Sequence, residues 1–124
     1  MLIENVFIQF HTTTDDREGG IVTVQILHNS QPIFTYGYSE YPAWGENTDN
    51  KVTVPVNRDM PVVGLVARIT LTDANEKNIG WNFNVYIRFL APGGPIAARI
   101  TGLNLRLDTT PYPYPASVHV DVAQ

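Results

Sequence analysis

The stretch "WNFNVYIRF", residues 81–89, indicates the fold of this chain. Every second residue in it is apolar: Trp81, Phe83, Val85, Ile87 and Phe89. Neighbouring side chains on a β-strand point to opposite faces, so this period of two predicts a strand with one buried and one solvated face. Trp81 is in phase with the other apolar residues, and we therefore expect it in the core.

The same alternation recurs along the whole chain of 124 residues. It is found in residues 5–11, 21–28, 33–38, 51–56, 62–72, 96–107 and 117–122, and no segment shows a helical apolar stripe. About eight short strands separated by polar turns are typical of an antiparallel sandwich or barrel. We predict an all-β protein, an antiparallel β-sandwich of about eight strands, with residues 1–124 forming a single domain.

Two positions predict irregularities in these strands. Pro55 lies inside the alternating segment "KVTVPV" and cannot donate a ladder hydrogen bond, which favours an edge strand or a bulge. In residues 96–107 the alternation changes phase near Gly102, which predicts a second bulge.

Charge and composition argue against several classes of protein. The net charge of −4 and the lack of a basic stripe argue against nucleic-acid binding. The chain has no cysteine, which excludes disulfides, thiol nucleophiles and cysteine-based metal sites. We see no secretory signal and no apolar run long enough to span a membrane. We therefore expect a cytoplasmic protein, or one released without a classical signal.

The chain carries no recognisable catalytic motif. Nucleophile-elbow, P-loop and dinucleotide-binding patterns are absent, and "APGGP" (residues 91–95) reads as a turn. His11, His28 and His119 are far apart in sequence, and we interpret them as polar positions on solvated strand faces rather than metal ligands. We expect a protein that is not an enzyme and requires no cofactor.

The loop "YPAWGENTDN", residues 41–50, is the strongest ligand-site candidate. An aromatic ring can pack on the apolar face of a pyranose while carboxylates and amides bind its hydroxyl groups. The loop supplies both kinds of group in five residues: Tyr41, Trp44, Glu46, Asn47 and Asp49. The alternative is structural, with Trp44 packed at the edge of the core and Tyr41 stacked on Pro42.

Acidic residues in three loops suggest calcium as an alternative ligand. If every strand reverses direction, loops 12–19, 39–50 and 72–79 lie at the same end of the sandwich. Calcium requires six to eight oxygen ligands, which several loops can supply together. The candidate metal ligands are Asp15, Asp16 and Asp73. Solvated polar turns are the interpretation we favour, since no EF-hand pattern is present.

Two segments resemble PLAT domains, the lipoxygenase-type β-sandwich modules. Residues 3–27 have the layout of the first PLAT hairpin, in which a strand ends in a loop containing threonine and aspartate before a step of small residues. Residues 69–89 resemble the PLAT ending, where a short polar loop precedes a tryptophan that begins a strand. The similarity covers roughly residues 3–90, although Thr13 and Thr14 stand where the family has a glycine.

The resemblance implies an eight-stranded sandwich that contacts lipid surfaces or proteins, sometimes with calcium. In that case Asp15 and Asp16 match the acidic loop of the family.

Three functional hypotheses follow. We favour a lectin-like module that binds a glycan or glycoconjugate through the loop containing Trp44. The alternatives are a PLAT-like lipid- or protein-binding adaptor and a structural or assembly subunit. Solvated faces rich in threonine, asparagine and tyrosine favour association through edge strands, so we expect a homo-oligomer.

Overall fold

The computed structural model describes residues 1–14, 21–38, 45–72, 80–109 and 117–124. These residues form eight strands and no helix, so no membrane-spanning helix occurs among them. The strands are β1 (Leu2–Thr12), β2 (Ile21–His28), β3 (Gln31–Gly37), β4 (Thr48–Asp59), β5 (Leu65–Thr72), β6 (Gly80–Leu90), β7 (Ile96–Asp108) and β8 (Ser117–Ala123).

The strands form two four-stranded antiparallel sheets. The first sheet has the order β4-β1-β6-β7, and the second has the order β3-β2-β5-β8. This arrangement confirms the predicted all-β antiparallel sandwich of eight strands. The centre of the first sheet pairs β1 with β6, so residues far apart in sequence, such as Thr12 and Phe83, are direct neighbours.

The core lies between the inner faces of the two sheets, as the period-two pattern predicts. β6 shows the pattern most clearly, because its five alternate apolar residues are all fully buried: Trp81, Phe83, Val85, Ile87 and Phe89. The core position predicted for Trp81 is therefore confirmed. Burying a large apolar side chain stabilises the fold by about 1.5–3 kcal/mol, so this one strand contributes heavily to the interface between the sheets.

A two-residue hairpin turn joins β2 to β3. Asn29 and Ser30 both have positive φ, at 51° and 64°. Two left-handed residues in a row are the signature of a type I′ turn, whose twist matches that of the flanking strands. Asparagine tolerates this region of backbone space well, which explains its place in the turn.

β4 is an edge strand with a bulge, as Pro55 predicts. β4 pairs only with β1, and the register shifts between Ile3 and Asn5. Over that interval β4 advances from Pro55 to Arg58 and so carries one extra residue. Asn57, in the same interval, has a φ of 48°. The proline thus stands beside a distorted edge rather than in a central ladder.

β7 carries the second predicted bulge. Its register against β6 shifts where Gly102 and Leu105 pair with Val85 and Phe83, and Asn104 has a φ of 55°. A Cβ atom on Gly102 would lie 2.7 Å from a terminal carbon of Leu105 and 3.1 Å from one of Val122. The absence of a side chain at Gly102 therefore allows β7 to approach its neighbours closely.

The strand ends that flank the three acidic loops lie at one end of the sandwich. In the first sheet, the end of β1 meets the start of β4, and the Asn47 amide donates to the Thr12 carbonyl at 2.8 Å. The Thr13 amide donates to the Asn82 carbonyl at 2.9 Å, which brings the start of β6 to the same place. The rings of Phe10 and Tyr38, 5.9 Å apart, join the two sheets there.

Candidate functional site

A polar groove crosses the outer face of the first sheet. We call it the outer groove and define it by the residues that line it: Gln9, His11, Asp49, Asn84, Tyr86 and Arg88. Its volume is about 440 Å³. All six side chains belong to three adjacent strands, β4, β1 and β6, so a rigid hydrogen-bonded ladder holds them rather than a loop.

The strand register explains why these side chains meet. His11 on β1 lies opposite Asp49 on β4 and opposite Asn84 on β6. Two residues earlier on β1, Gln9 lies opposite Tyr86. Residues directly opposite each other in an antiparallel pair share a face of the sheet. The inner positions of β1 and β6 are occupied by the apolar core, which leaves these polar residues on the outside.

Asp49 accepts two hydrogen bonds at one carboxylate oxygen. Nδ1 of His11 lies 3.0 Å from Oδ1 of Asp49, and Nε2 of Gln9 donates to the same oxygen at 3.1 Å. An ionised carboxylate only accepts, so the proton in the first contact is on Nδ1 of His11. The hydrogen bond from Gln9, followed by that from His11, holds the pKa of Asp49 below its ordinary value.

Asp49 is consequently an ionised acceptor with spare capacity. Its side chain is 44% exposed, and within the described residues only Gln9 and His11 bind it. No described residue donates a hydrogen bond to its second carboxylate oxygen, Oδ2. A carboxylate with one oxygen anchored and the other free is suited to accept a hydrogen bond from a ligand hydroxyl.

Tyr86 and Arg88 form the other part of the groove. The guanidinium carbon of Arg88 lies 5.9 Å from the centroid of the Tyr86 ring, within the range of a cation–π contact. Both side chains are half-buried. This partial burial reduces the conformational freedom of the ring.

Asn84 is anchored through its carbonyl oxygen. That oxygen accepts a hydrogen bond from the backbone amide of Asn104 at 2.8 Å. Asn104 is the left-handed residue of the β7 bulge, so the bulge turns a backbone donor toward β6. The amide nitrogen of Asn84 is then the group left to donate. The bulge thus contributes to the geometry of the groove.

A buried hydrogen bond joins β1 to β6 on the core side of the first sheet. Nε1 of Trp81 donates to Oγ1 of Thr12 at 3.0 Å, and both residues are fully buried. The Phe10 ring lies 5.3 Å from Trp81 and 5.7 Å from Phe83. This aromatic cluster fixes the end of the two strands from which His11 and Asn84 project.

Three of the residues predicted to bind a ligand are described. Glu46 and Asn47 form an exposed turn, and Asn47 has a φ of 57°. Asp49 was expected in a loop, but it lies in β4, which begins at Thr48. The pairing of β4 with β1 includes Thr48, the first residue of β4. It therefore places the Asp49 side chain on the outer face of the sheet, opposite His11.

The remaining predicted residues lie outside the described part of the chain. They are Tyr41 and Trp44 of the predicted glycan site, and Asp15, Asp16 and Asp73 of the predicted calcium site. Among the residues that are described, no three metal-ligating side chains come together. The glycan contacts of the loop and the calcium site therefore stay predictions.

The sequence predicts which groove residues of β1 and β6 lie on a solvated strand face, but it does not predict that they lie next to one another. Alternation places His11 on the solvated face of β1 and Asn84, Tyr86 and Arg88 on that of β6. The pairing of β1 with β6, separated by more than sixty residues, has no local signal in the sequence. For that reason the sequence indicates His11 only as a polar position on a solvated face.

Comparison of the chain with family models, with curated proteins and with solved structures finds no match. The resemblance to PLAT domains stays a prediction on the residues that carry it.

Proposed function

We propose that this protein is a non-enzymatic carbohydrate-recognition module and that its binding site is the outer groove. The observation that carries the proposal is the placement of the Tyr86 ring among a carboxylate, two amides, an imidazole and a guanidinium on one sheet face. A sugar presents apolar C–H faces and a rim of hydroxyl groups. A ring surrounded by hydrogen-bonding side chains is complementary to both.

The polar groups of the groove include both hydrogen-bond donors and hydrogen-bond acceptors. Oδ2 of Asp49 can accept, and the Arg88 guanidinium and the Asn84 amide nitrogen can donate. A hydroxyl group donates and accepts, so it requires partners of both types. Because the side chains project from paired strands, binding a sugar orders few additional rotatable bonds, which lowers the entropic cost of association.

The length of the groove suits an extended ligand. Asn84, Tyr86 and Arg88 follow one another at alternate positions of β6, so the row spans about 13 Å at roughly 3.3 Å per residue. The turn at Glu46 and Asn47 precedes β4 at the same end as Asn84 and His11. A chain of sugars lying along β6 would extend from Arg88 toward the predicted glycan loop.

A glycan array followed by calorimetric titration tests the proposal. We expect Tyr86→Ala to weaken binding by about tenfold or more, because the stacking surface is lost. Tyr86→Phe keeps the ring and should retain most of the affinity. Asp49→Asn should weaken binding, whereas Asp121→Asn, the same change on the other sheet, should leave it unchanged. Absence of any bound glycan, or equal binding by wild type and Tyr86→Ala, would overturn the proposal.

A further inference from the structure

Arg88 lies at one end of the outer groove, and Arg99 lies beside it on the next strand. Arg88 on β6 and Arg99 on β7 are directly opposite in the register, where Cα atoms are about 4.5–5.5 Å apart. Like charges in this arrangement oppose each other and destabilise the sheet. The pair therefore has a cost in the free protein that a negatively charged partner would remove.

No carboxylate among the described residues neutralises this pair. Asp49 is hydrogen-bonded to Gln9 and His11, and Asp108 binds Arg106 at 2.9 Å. Nη1 of Arg88 is covered by protein, yet it has no hydrogen-bond partner within the described part of the chain. The guanidinium thus lies beside the Tyr86 ring with one of its buried donors unsatisfied by the described residues.

The outer face of the first sheet carries half of the cationic residues of the chain. The chain has a net charge of −4 with eight lysines and arginines. Four of these eight project from the outer face of the first sheet, as the pairing of their strands shows: Lys51, Arg88, Arg99 and Arg106. The same face also carries Asp49 and Asp108, and Asp108 is paired with Arg106, so the positive charge that favours the approach of an anion is local to Arg88 and Arg99.

We infer that the Arg88 end of the outer groove binds the anionic group of an acidic glycan, a carboxylate or a sulfate. This inference rests on the proposed function and names its class of ligand. Guanidinium groups bind planar or tetrahedral oxyanions through two parallel hydrogen bonds, and two arginines on adjacent strands can hold one anion between them. The sugar ring attached to that anion then lies next to Tyr86, the neighbouring position on β6.

Matched pairs of oligosaccharides test the inference. Oligogalacturonate and its neutral methyl ester probe the carboxylate, and dextran sulfate and dextran probe the sulfate. Inorganic sulfate, with chloride at equal ionic strength as the control, probes the arginines without any sugar. Affinities are measured by calorimetry, and the Nε–Hε signals of the arginines are followed by NMR.

We expect at least one acidic sugar to bind about tenfold or more tightly than its neutral partner at low salt, with the difference falling as salt rises. Arg88→Gln should remove this preference, and Arg99→Gln should reduce it. Arg68→Gln removes the same charge from the other sheet and should keep it. Sulfate should shift the Arg88 and Arg99 signals and leave that of Arg68 in place. Circular dichroism verifies that each variant is folded.

The outcomes separate this inference from the proposed function. Equal binding of acidic and neutral sugars, or a preference that survives Arg88→Gln, overturns the inference while leaving a carbohydrate-binding protein. Sulfate shifts at Arg88 and Arg99 with no sugar bound would retain the anion site and overturn the proposed function. If neither sugar nor sulfate affects the groove, both are wrong.

Discussion

The outer faces of the two sheets carry similar side chains but pair them differently. On the second sheet, Arg68 lies opposite Asp121, and the two form a pair of hydrogen bonds of 2.8 and 3.0 Å. On the first sheet, Arg88 lies opposite Arg99. One arginine is thus satisfied by the protein itself, whereas the other two are not paired with any described carboxylate.

This difference separates a structural polar face from one suited to binding. A bidentate arginine–carboxylate pair already occupies the donors that a ligand would use. The second sheet does have a depression of about 230 Å³ beside Arg68 and Asp121. Its charges compensate each other, so it offers less to an anion than the outer groove does.

The largest expected effect is on the free energy of unfolding, and it compares one threonine at the end of a strand in each sheet. Thr12 is buried and accepts the Trp81 hydrogen bond, whereas Thr72 is half-buried on the outer face of the second sheet. Thr12→Val removes the buried oxygen that accepts the hydrogen bond from Nε1 of Trp81 and should lower the free energy of unfolding by about 1–3 kcal/mol. Thr72→Val should change it by less than about 0.5 kcal/mol. Urea denaturation measures both, and equal values would contradict the expected difference.

A second prediction concerns a substitution that gives the first sheet an arginine–carboxylate pair like that of the second sheet. Arg99→Asp places a carboxylate opposite Arg88 and so imitates the Arg68–Asp121 pair. The preference for acidic sugars should fall by about tenfold or more, since the new carboxylate competes for the guanidinium and repels the ligand. Arg99→Gln, which removes the cation without adding an anion, should lie between this variant and wild type in calorimetric titrations. A variant with undiminished preference would show that the arginine pair does not select the ligand.

The smallest effects concern the acid titration of the two faces. The hydrogen bond from Arg68 lowers the pKa of Asp121, and that from Gln9 is the largest cause lowering the pKa of Asp49. Arg68→Gln should therefore raise the pKa of Asp121 alone, and Gln9→Ala that of Asp49 alone. NMR titration of the side-chain carboxyl carbons measures both; a change at the wrong carboxyl would contradict the assignment.

The same shifts have a consequence for stability. A carboxyl whose pKa is lower in the folded chain than in the unfolded one stabilises the fold above the unfolded pKa, and this contribution is lost as pH falls through the folded pKa. Lowering the pH should therefore reduce the stabilisation that Asp49 and Asp121 contribute to the folded state. Both pairs are exposed to solvent, so each contribution is small and falls further with salt.

Most of the fold was predictable from local patterns. The alternation of apolar and polar residues located the strands and their buried faces, because successive side chains on a strand point to opposite faces of the sheet. Pro55 and the phase change near Gly102 indicated the irregular edges, because backbone chemistry there is local. The order of strands within each sheet was not predicted, since it depends on contacts between distant segments.

The candidate site was less accessible to sequence reasoning. The sequence favours the loop containing Trp44, because five suitable residues lie there within ten positions. The outer groove instead takes two residues from β1, one from β4 and three from β6. Asp49 is the one residue that belongs to both the predicted site and the groove, and its relevant neighbour His11 is 38 positions away.

The central pairing of β1 with β6 also bears on how the chain folds. The ladder runs from Asn5–Leu90 to Thr12–Phe83, so its formation must close a large loop of chain. Non-local strand pairing of this kind is slow, and sandwiches typically fold in milliseconds to seconds. His11 and Asn84 become neighbours only when this ladder has formed. Binding competence should consequently appear late during refolding, together with the native state and not with any early hairpin.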